Sequence, residues 1–363
     1  MPQQPTPQLR ITNPAEIAEI IPYLVGFTPE NSLVVSALTD GRVQVTARVD
    51  LADVQHHGGV EDLLDRIWSR FPGAGAIAVA YTDDHLAGWD VLSRADAWLP
   101  HGATTLLVDA GTWHTPGGTS GPVDPAGHAA TQAAQHGMRH LPSRTDLEAR
   151  FASPPDSTRL DRQTAHAIDD LPKPGDTTGI VGLTARLIDR NLPTGASTPA
   201  PISVQDAVQL SVLAQHPAAR DLALLRIDHD NAAQHLALWQ NVIRTSPAFG
   251  SDMALFVAGM AAWIGGDGAS ATIALERSLA AEPATSGRHP ARLLEGIIDN
   301  VVTPLTWDTL RRDITEHAHP DVRAALPDPG RETAGRGWPP VPQPSGRRPT
   351  RPEHKPPAPG IRI

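Results

Sequence analysis

Residues Asn13 to Leu51 read NPAEIAEIIPYLVGFTPENSLVVSALTDGRVQVTARVDL, and this stretch decides how the chain begins to fold. Asn13 is a helix cap, Pro14 suits the first helical position, and Glu16 stands where a capping box places its acid. Ile17, Ile20, Ile21 and Leu24 follow at helical spacing. Pro22 falls late enough to bend or end the helix, and Gly26 offers the stop. Leu33 to Leu38 is then a short apolar strand, and Asp40-Gly41 is a strong hairpin signal. In the second strand Val43, Val45, Ala47, Val49 and Leu51 share one face, and Gln44, Thr46, Arg48 and Asp50 the other. Arg48 and Asp50 therefore project together, about 7 Å apart along the strand.

The next hundred residues have an α/β rhythm. Val60 to Phe71 is amphipathic and Pro72-Gly73 ends it. Ala76 to Tyr81 is wholly apolar, the pattern of a buried parallel strand. Thr82-Asp83-Asp84 leads into a helix through Leu86, Trp89, Leu92, Ala95 and Trp98, and a third run, Thr104 to Val108, closes at Asp109. This alternation predicts right-handed crossovers and a sheet covered by helices. Gly111 to Gly127 reads as a loop. Helices follow, with Pro/Gly-rich breaks at Leu171–Thr178 and Pro193–Pro201. Amphipathic runs fall at Val204–Ala214, Ala219–Ile227, Ala232–Ile243, Met253–Ile264 and Ala269–Ala281. The last two can be laid on a tetratricopeptide-type helix pair, with small residues at Gly259, Ala262 and Ala271 and a turn at Gly265–Gly268. Only one such copy is found.

The expected fold is thus α+β or α/β. Residues 1–9 form a flexible N-terminus, and 10–145 an N-terminal α/β sheet domain with flanking helices. Residues 146–326 form an α-helical domain containing one tetratricopeptide-like helix pair, and 327–363 a disordered Pro/Arg-rich tail.

Composition excludes several chemistries. The 363 residues contain no cysteine, which removes disulfides, thiolate metal sites and cysteine nucleophiles together. No run approaches the roughly 18 apolar residues of a membrane helix. The N-terminus lacks a basic start followed by an apolar segment, so no signal peptide is expected and the cytoplasm is the default location. The only lysines are Lys173 and Lys355; with abundant Ala, Gly and Pro, this is the mark of a GC-rich genome. The formal charge is −10, yet from Pro327 onward seven Arg or Lys face three acids. The body is therefore strongly acidic, which argues against nucleic-acid binding except weakly through the basic tail.

Candidate functional residues are few. Asp83 and Asp109 follow two strands and Asp50 ends a third, at the carboxyl edge where α/β sheets collect ligands. Clustered there, they could hold a hard cation; for Asp84, capping the next helix is the favoured role. Arg48 and Asp50 either present a charged pair to a ligand or pair with each other and anchor the Thr28–Asn31 corner, and the second is favoured. Sixteen histidines show no metal-ligand spacing: His136 and His140 would share a helix face, but without the glutamate of a zincin pattern. There is no Gly-x-Ser-x-Gly elbow and no Walker loop. Trp113 lies in the predicted loop after a strand, where an aromatic can line a pocket.

Pro22-Tyr23-Leu24-Val25-Gly26-Phe27, Pro29-Glu30-Asn31-Ser32-Leu33-Val34-Val35 and Arg48-Val49-Asp50-Leu51 together resemble the signature of an actinobacterial family known as domain of unknown function 4192. Ala262-Trp263, Gly266-Asp267-Gly268-Ala269 and Ala274-Leu275-Glu276-Arg277-Ser278-Leu279 resemble that family's helical end, so the resemblance covers most of residues 10 to 320. It implies no established activity, cofactor or catalytic residue. It does imply that many relatives carry cysteines in the loop after the position of Trp113, where this chain has His114-Thr115-Pro116-Gly117.

No catalytic group, metal or cofactor is identified from these patterns. The leading expectation is a non-enzymatic interaction or adaptor protein whose helical half contacts a protein partner. The alternative is a metal-dependent hydrolase or phosphoryl-transfer enzyme using the strand-end carboxylates. The residues expected to meet a ligand are Glu30, Asn31, Arg48, Asp50, Asp83, Asp109 and Trp113.

Overall fold

A computed structural model describes residues 10–55, 58–154, 162–192, 201–248, 250–281, 290–327 and 361–362. The chain opens with β1 (Arg10–Ile11) and α1 (Pro14–Val25). Asn13 caps α1 by accepting the Glu16 N–H at 3.0 Å, and the Glu16 carboxylate reaches back to the Thr12 N–H at 2.6 Å. Pro22 lies inside α1 without ending it. The stop is Gly26, left-handed at φ 87°, whose N–H bonds the Pro22 carbonyl.

β2 (Ser32–Thr39) and β3 (Arg42–Asp50) form the expected hairpin. Asp40 and Gly41 both take positive φ, 53° and 72°, the conformation that matches the twist of paired strands. A short α2 (Leu51–Val54) and α3 (Gly59–Arg70) lead to β4 (Gly75–Tyr81). α4 (His85–Asp96) then returns the chain to β5 (Thr104–Asp109), parallel to β4. Two strands lie where a loop was predicted, β6 (Thr112–His114) and β7 (Ser120–Pro122). At three residues each they are too short to show a period. With β8 (Ile361–Arg362) the sheet order is β1-β8-β3-β2-β4-β5-β6-β7. β2 is antiparallel to both neighbours, so the sheet is mixed and the architecture α+β.

Alternation along the central strands sorts their residues onto two cores. Leu33, Val35, Ala37, Ala78, Ala80 and Leu107 meet α3 and α4 on one face. Val34, Ile77, Val79, Tyr81, Leu106 and Val108 face α1 on the other. Both faces are covered, so β4 is apolar along nearly its whole length and β2 departs from this only at Ser32, Ser36 and the terminal Thr39.

The remaining helices are α5 (His128–Gln135), α6 (Arg144–Ala149), α7 (Arg162–Asp169), α8 (Thr177–Asn191) and α9 (Val204–Leu213). They continue with α10 (Pro217–Leu225), α11 (Ala232–Thr245), α12 (Ser251–Ile264), α13 (Gly268–Ala280), α14 (Ala291–Asp299), α15 (Trp307–His317) and α16 (Pro320–Ala324). Every residue of α12 is buried, which makes it the axis of this half. At Gly259 a Cβ would stand 2.6 Å from Leu294 Cδ2 and 3.3 Å from Ala274 Cβ, so the small residue permits the close approach of α13 and α14. The core on the α1 face runs without a break from Val34 and Tyr81 through Leu147 and Phe151 to Trp263 and Trp307. The α/β half and the helical half therefore share one interior.

His136 and His140 do not share a helix face. α5 ends at Gln135, Gly137 turns left-handed at φ 78°, and His140 stacks edge-on against Tyr23. No helix among the described residues is long and apolar enough to cross a membrane. The expected loose N-terminus and most of the Pro/Arg-rich tail lie outside the described residues, as do His56 and His57.

Candidate functional site

The polar groups of the opening stretch are largely used by the fold. Arg48 donates from Nε to Ser32 Oγ at 2.9 Å and from Nη2 to Asp50 Oδ1 at 2.5 Å, with its guanidinium 5.7 Å from the Phe27 ring centre. Ser32 Oγ in turn donates to the Glu30 carbonyl at 2.5 Å. Asn31 takes a positive φ of 41°, its carbonyl accepts the Leu51 N–H at 2.8 Å, and its Oδ1 accepts the Thr82 hydroxyl at 3.3 Å. This network ties the corner to the ends of β3 and β4. The Glu30 side chain and Asp83 are exposed, and Asp84 caps α4 by accepting the Ala87 N–H at 3.0 Å.

The sheet also separates the acids laterally. Asp50 pairs with Ser32, Ser32 with Tyr81, and Tyr81 with Val108, so Asp50 and Asp109 stand three strands apart, about 14 Å at the usual interstrand spacing. One cation does not span Asp50 and Asp109.

A different group does converge at the end of β5. Asp109 projects from the same face as Leu107 because the strand repeats every two residues. Ala110 and Gly111, at φ 43° and 78°, fold the chain straight back. The resulting register sets Thr112 opposite Asp109, Trp113 opposite Val108 and His114 opposite Leu107. His114 therefore shares the face of Asp109, while Trp113 goes to the other face and packs under Gly121, where a Cβ would be 2.8 Å from its ring.

The third member arrives from α4, which covers this face. Gly88 lets the helix lie close: a Cβ there would be 2.6 Å from Leu107 Cδ1 and 2.9 Å from Thr82 Cγ2. That approach brings His85, the first residue of α4, to Asp109, with Nε2 2.7 Å from Oδ2. The rings of His85 and His114 meet edge to face with centres 5.1 Å apart. One ligand atom from each of His85, Asp109 and His114 lies within 4.8 Å of the other two. Among the described residues no other group of three His, Asp or Glu side chains converges in this way.

Imidazole and carboxylate ligands bind zinc at about 2.0–2.2 Å, which sets neighbouring ligand atoms about 3.3 Å apart in a tetrahedron. The His85–Asp109 contact would open by about 0.6 Å to admit such an ion. Their side chains are 45% and 25% exposed, so rotation at the sheet's rim allows it. Beside the group is an open cleft of about 500 Å³ lined by Trp89, Ser93, His114, Thr115, Pro116 and Gly118. Trp89 lies one helical turn beyond His85, and the Thr115 N–H bonds the Thr119 carbonyl at 2.8 Å to close the β6–β7 connection.

Residues 14–304 match the family model described as Domain of unknown function (DUF4192). The chain belongs to this family. Nothing among curated proteins or solved structures matches it. The DUF4192 match spans strands β2 to β7, all three residues of the converging group and the helices through α14, and it leaves β1, β8, α15 and α16 outside.

Of the residues anticipated from sequence, Asp109 belongs to the converging group, and the others are placed elsewhere. His85 and His114 were not anticipated as ligands. The available signal was positional: a two-residue turn after Asp109 returns the fifth residue onward to the same face of the sheet.

Proposed function

We propose that the chain holds a divalent transition-metal ion on His85, Asp109 and His114 and presents its open side to a small molecule in the adjoining cleft. The convergence of two imidazoles and one carboxylate carries this reading. Imidazole ligands favour zinc, iron, cobalt or nickel, whereas magnesium and calcium take oxygen. Three protein ligands leave a coordination position free, which is the pattern of hydrolytic rather than structural zinc. The alternative of a metal-dependent hydrolase is retained here with a different ligand set from the strand-end aspartates.

Thermal unfolding with and without Zn²⁺ tests the proposal. A specific site at a hundredfold excess over its dissociation constant adds about 2.7 kcal/mol of stability. His114→Ala should lose that response and fold otherwise unchanged. Identical Zn²⁺ responses in the two proteins would overturn the assignment.

An adaptor role for the helical half is the second reading. It is favoured by Leu293 and Leu305, 51% and 63% exposed on α14 and the following turn, beside the close packing of α13 on α12 at Gly259. Because the two halves share one core, point changes test it better than deletion. Leu293→Glu with Leu305→Glu should abolish capture of a partner from the native host; undiminished capture would refute a role for this surface.

A further inference from the structure

Resting on the metal reading, we infer that the cleft takes a small uncharged molecule bearing a planar ring, laid against Trp89 and Pro116, with its polar head at the metal. The lining residues, Trp89, Ser93, His114, Thr115, Pro116 and Gly118, include no arginine or lysine. The basic residue nearest in sequence on α4, Arg94, is directed to Glu61 at 3.3 Å and to the Gln55 carbonyl at 3.1 Å. Asp83 and Asp84 precede α4 and Asp90 lies on it, all three exposed, on a chain of net charge −10.

Sites that bind or transfer phosphoryl groups neutralise them with arginine, lysine or several oxygen-bound metal ions. The cleft offers none of the basic groups. Its recognition elements are an indole, a proline ring and the Ser93 hydroxyl, which suit an uncharged molecule with one flat apolar part; the Thr115 hydroxyl is taken up by Thr119, donating to its carbonyl at 3.2 Å and accepting its N–H at 3.1 Å. Reach limits the size. Four residues of helix separate His85 from Trp89, a rise of about 6 Å, so the ring must sit next to the metal-binding head and not at the end of a chain.

Full-length protein loaded with Co²⁺ and read by its visible absorption provides the test. The probes are benzohydroxamic acid, acetohydroxamic acid and phenyl phosphate. Benzohydroxamic acid and acetohydroxamic acid, uncharged when free at neutral pH, share a head that chelates the metal by releasing one proton to solvent, and differ by the ring; phenyl phosphate keeps the ring and is already anionic when free. Benzohydroxamic acid should bind about tenfold more tightly than acetohydroxamic acid, a difference of about 1.4 kcal/mol, and at least about tenfold more tightly than phenyl phosphate. Trp89→Leu should erase the advantage of the ring while keeping the cobalt bands and the acetohydroxamic acid affinity. Equal affinities for the two hydroxamic acids in the unaltered protein would overturn the inference, as would phenyl phosphate binding as tightly as benzohydroxamic acid. Absence of cobalt bands would instead overturn the metal reading beneath it.

Discussion

His235 should make the fold sensitive to mild acid. It sits on α11 with only 4% of its surface exposed, and its Nδ1 has no hydrogen-bond partner among the described residues. Burial lowers its pKa first, and the charges of Arg226 and Arg311 lower it further, from 6.5 to about 4. The folded chain therefore refuses a proton that the unfolded chain accepts between those values. Since the unfolded state binds more protons in that window, stability is full above 6.5 and falls as pH drops toward about 4. The complete gap corresponds to about 3 kcal/mol, of which about 2 kcal/mol is gone by about pH 5. Glu16 does not confuse this window, because its lowered pKa contributes stability that is lost only as pH falls below the ordinary carboxylate value. Denaturant unfolding of the unaltered protein and of His235→Leu, at about pH 7.5 and about pH 5, isolates the effect. The unaltered protein should lose about 2 kcal/mol more than the variant between the two conditions. Parallel losses would refute the argument and show that His235 is protonated in the fold or that water reaches it.

Gly127→Ala should destabilise the protein by about 1–3 kcal/mol, because its Cβ would fall inside the buried Glu19 carboxylate, which accepts the Ala129 N–H at 3.0 Å; thermal unfolding measures it. Gly88→Ala should weaken Zn²⁺ binding with all three ligands intact, since its methyl pushes α4 off Leu107 and draws His85 from Asp109; calorimetric titration would show this, and an unchanged affinity would mean that α4 does not position His85. Arg48→Ala should cost about 1 kcal/mol, because buried Ser32 loses a donor while Asp50, 47% exposed, turns to water, yet leave the Zn²⁺ response intact, in contrast to His114→Ala.

The helices and the central strands were legible because each has enough residues to display a period. The predicted runs at Val204–Ala214 and Met253–Ile264 fall within a residue or two of α9 and α12, and Asp40-Gly41 turns as its chemistry requires. Long-range consequences were not legible. The expected boundary near residue 145 was read from a change of rhythm between an α/β and an all-helical pattern. Rhythm reports local structure and says nothing about which faces meet. Tyr81, Leu147, Phe151 and Trp307 lie in one core, joined across the change by Arg144 to Glu276 at 2.6 Å and Arg277 to the Phe151 carbonyl at 3.3 Å.

The same limit makes the opening stretch conspicuous in sequence and hides the group at β5. Spacing rules detect ligands carried by one element, whereas His85, Asp109 and His114 come from a helix and two strands. Two of them could still have been paired by geometry. Asp109 closes an alternating strand, and a turn of only two residues sends the chain back along it. His114 must then lie on the face of Asp109, whatever the length of the returning strand. The obstacle was Ala110, a residue without the usual preference for positive φ, which concealed the turn and left β6 read as loop. Arg48, Asp50 and Asn31 are conspicuous in sequence but bond to one another and to backbone groups at their own corner. Polar residues so engaged stabilise a fold and have little left to offer a ligand. Among the described residues the side chains of His85 and His114 meet Asp109 and each other, with ligand atoms within 4.8 Å of one another, and that convergence of open ligand atoms marks them as the better candidates for chemistry.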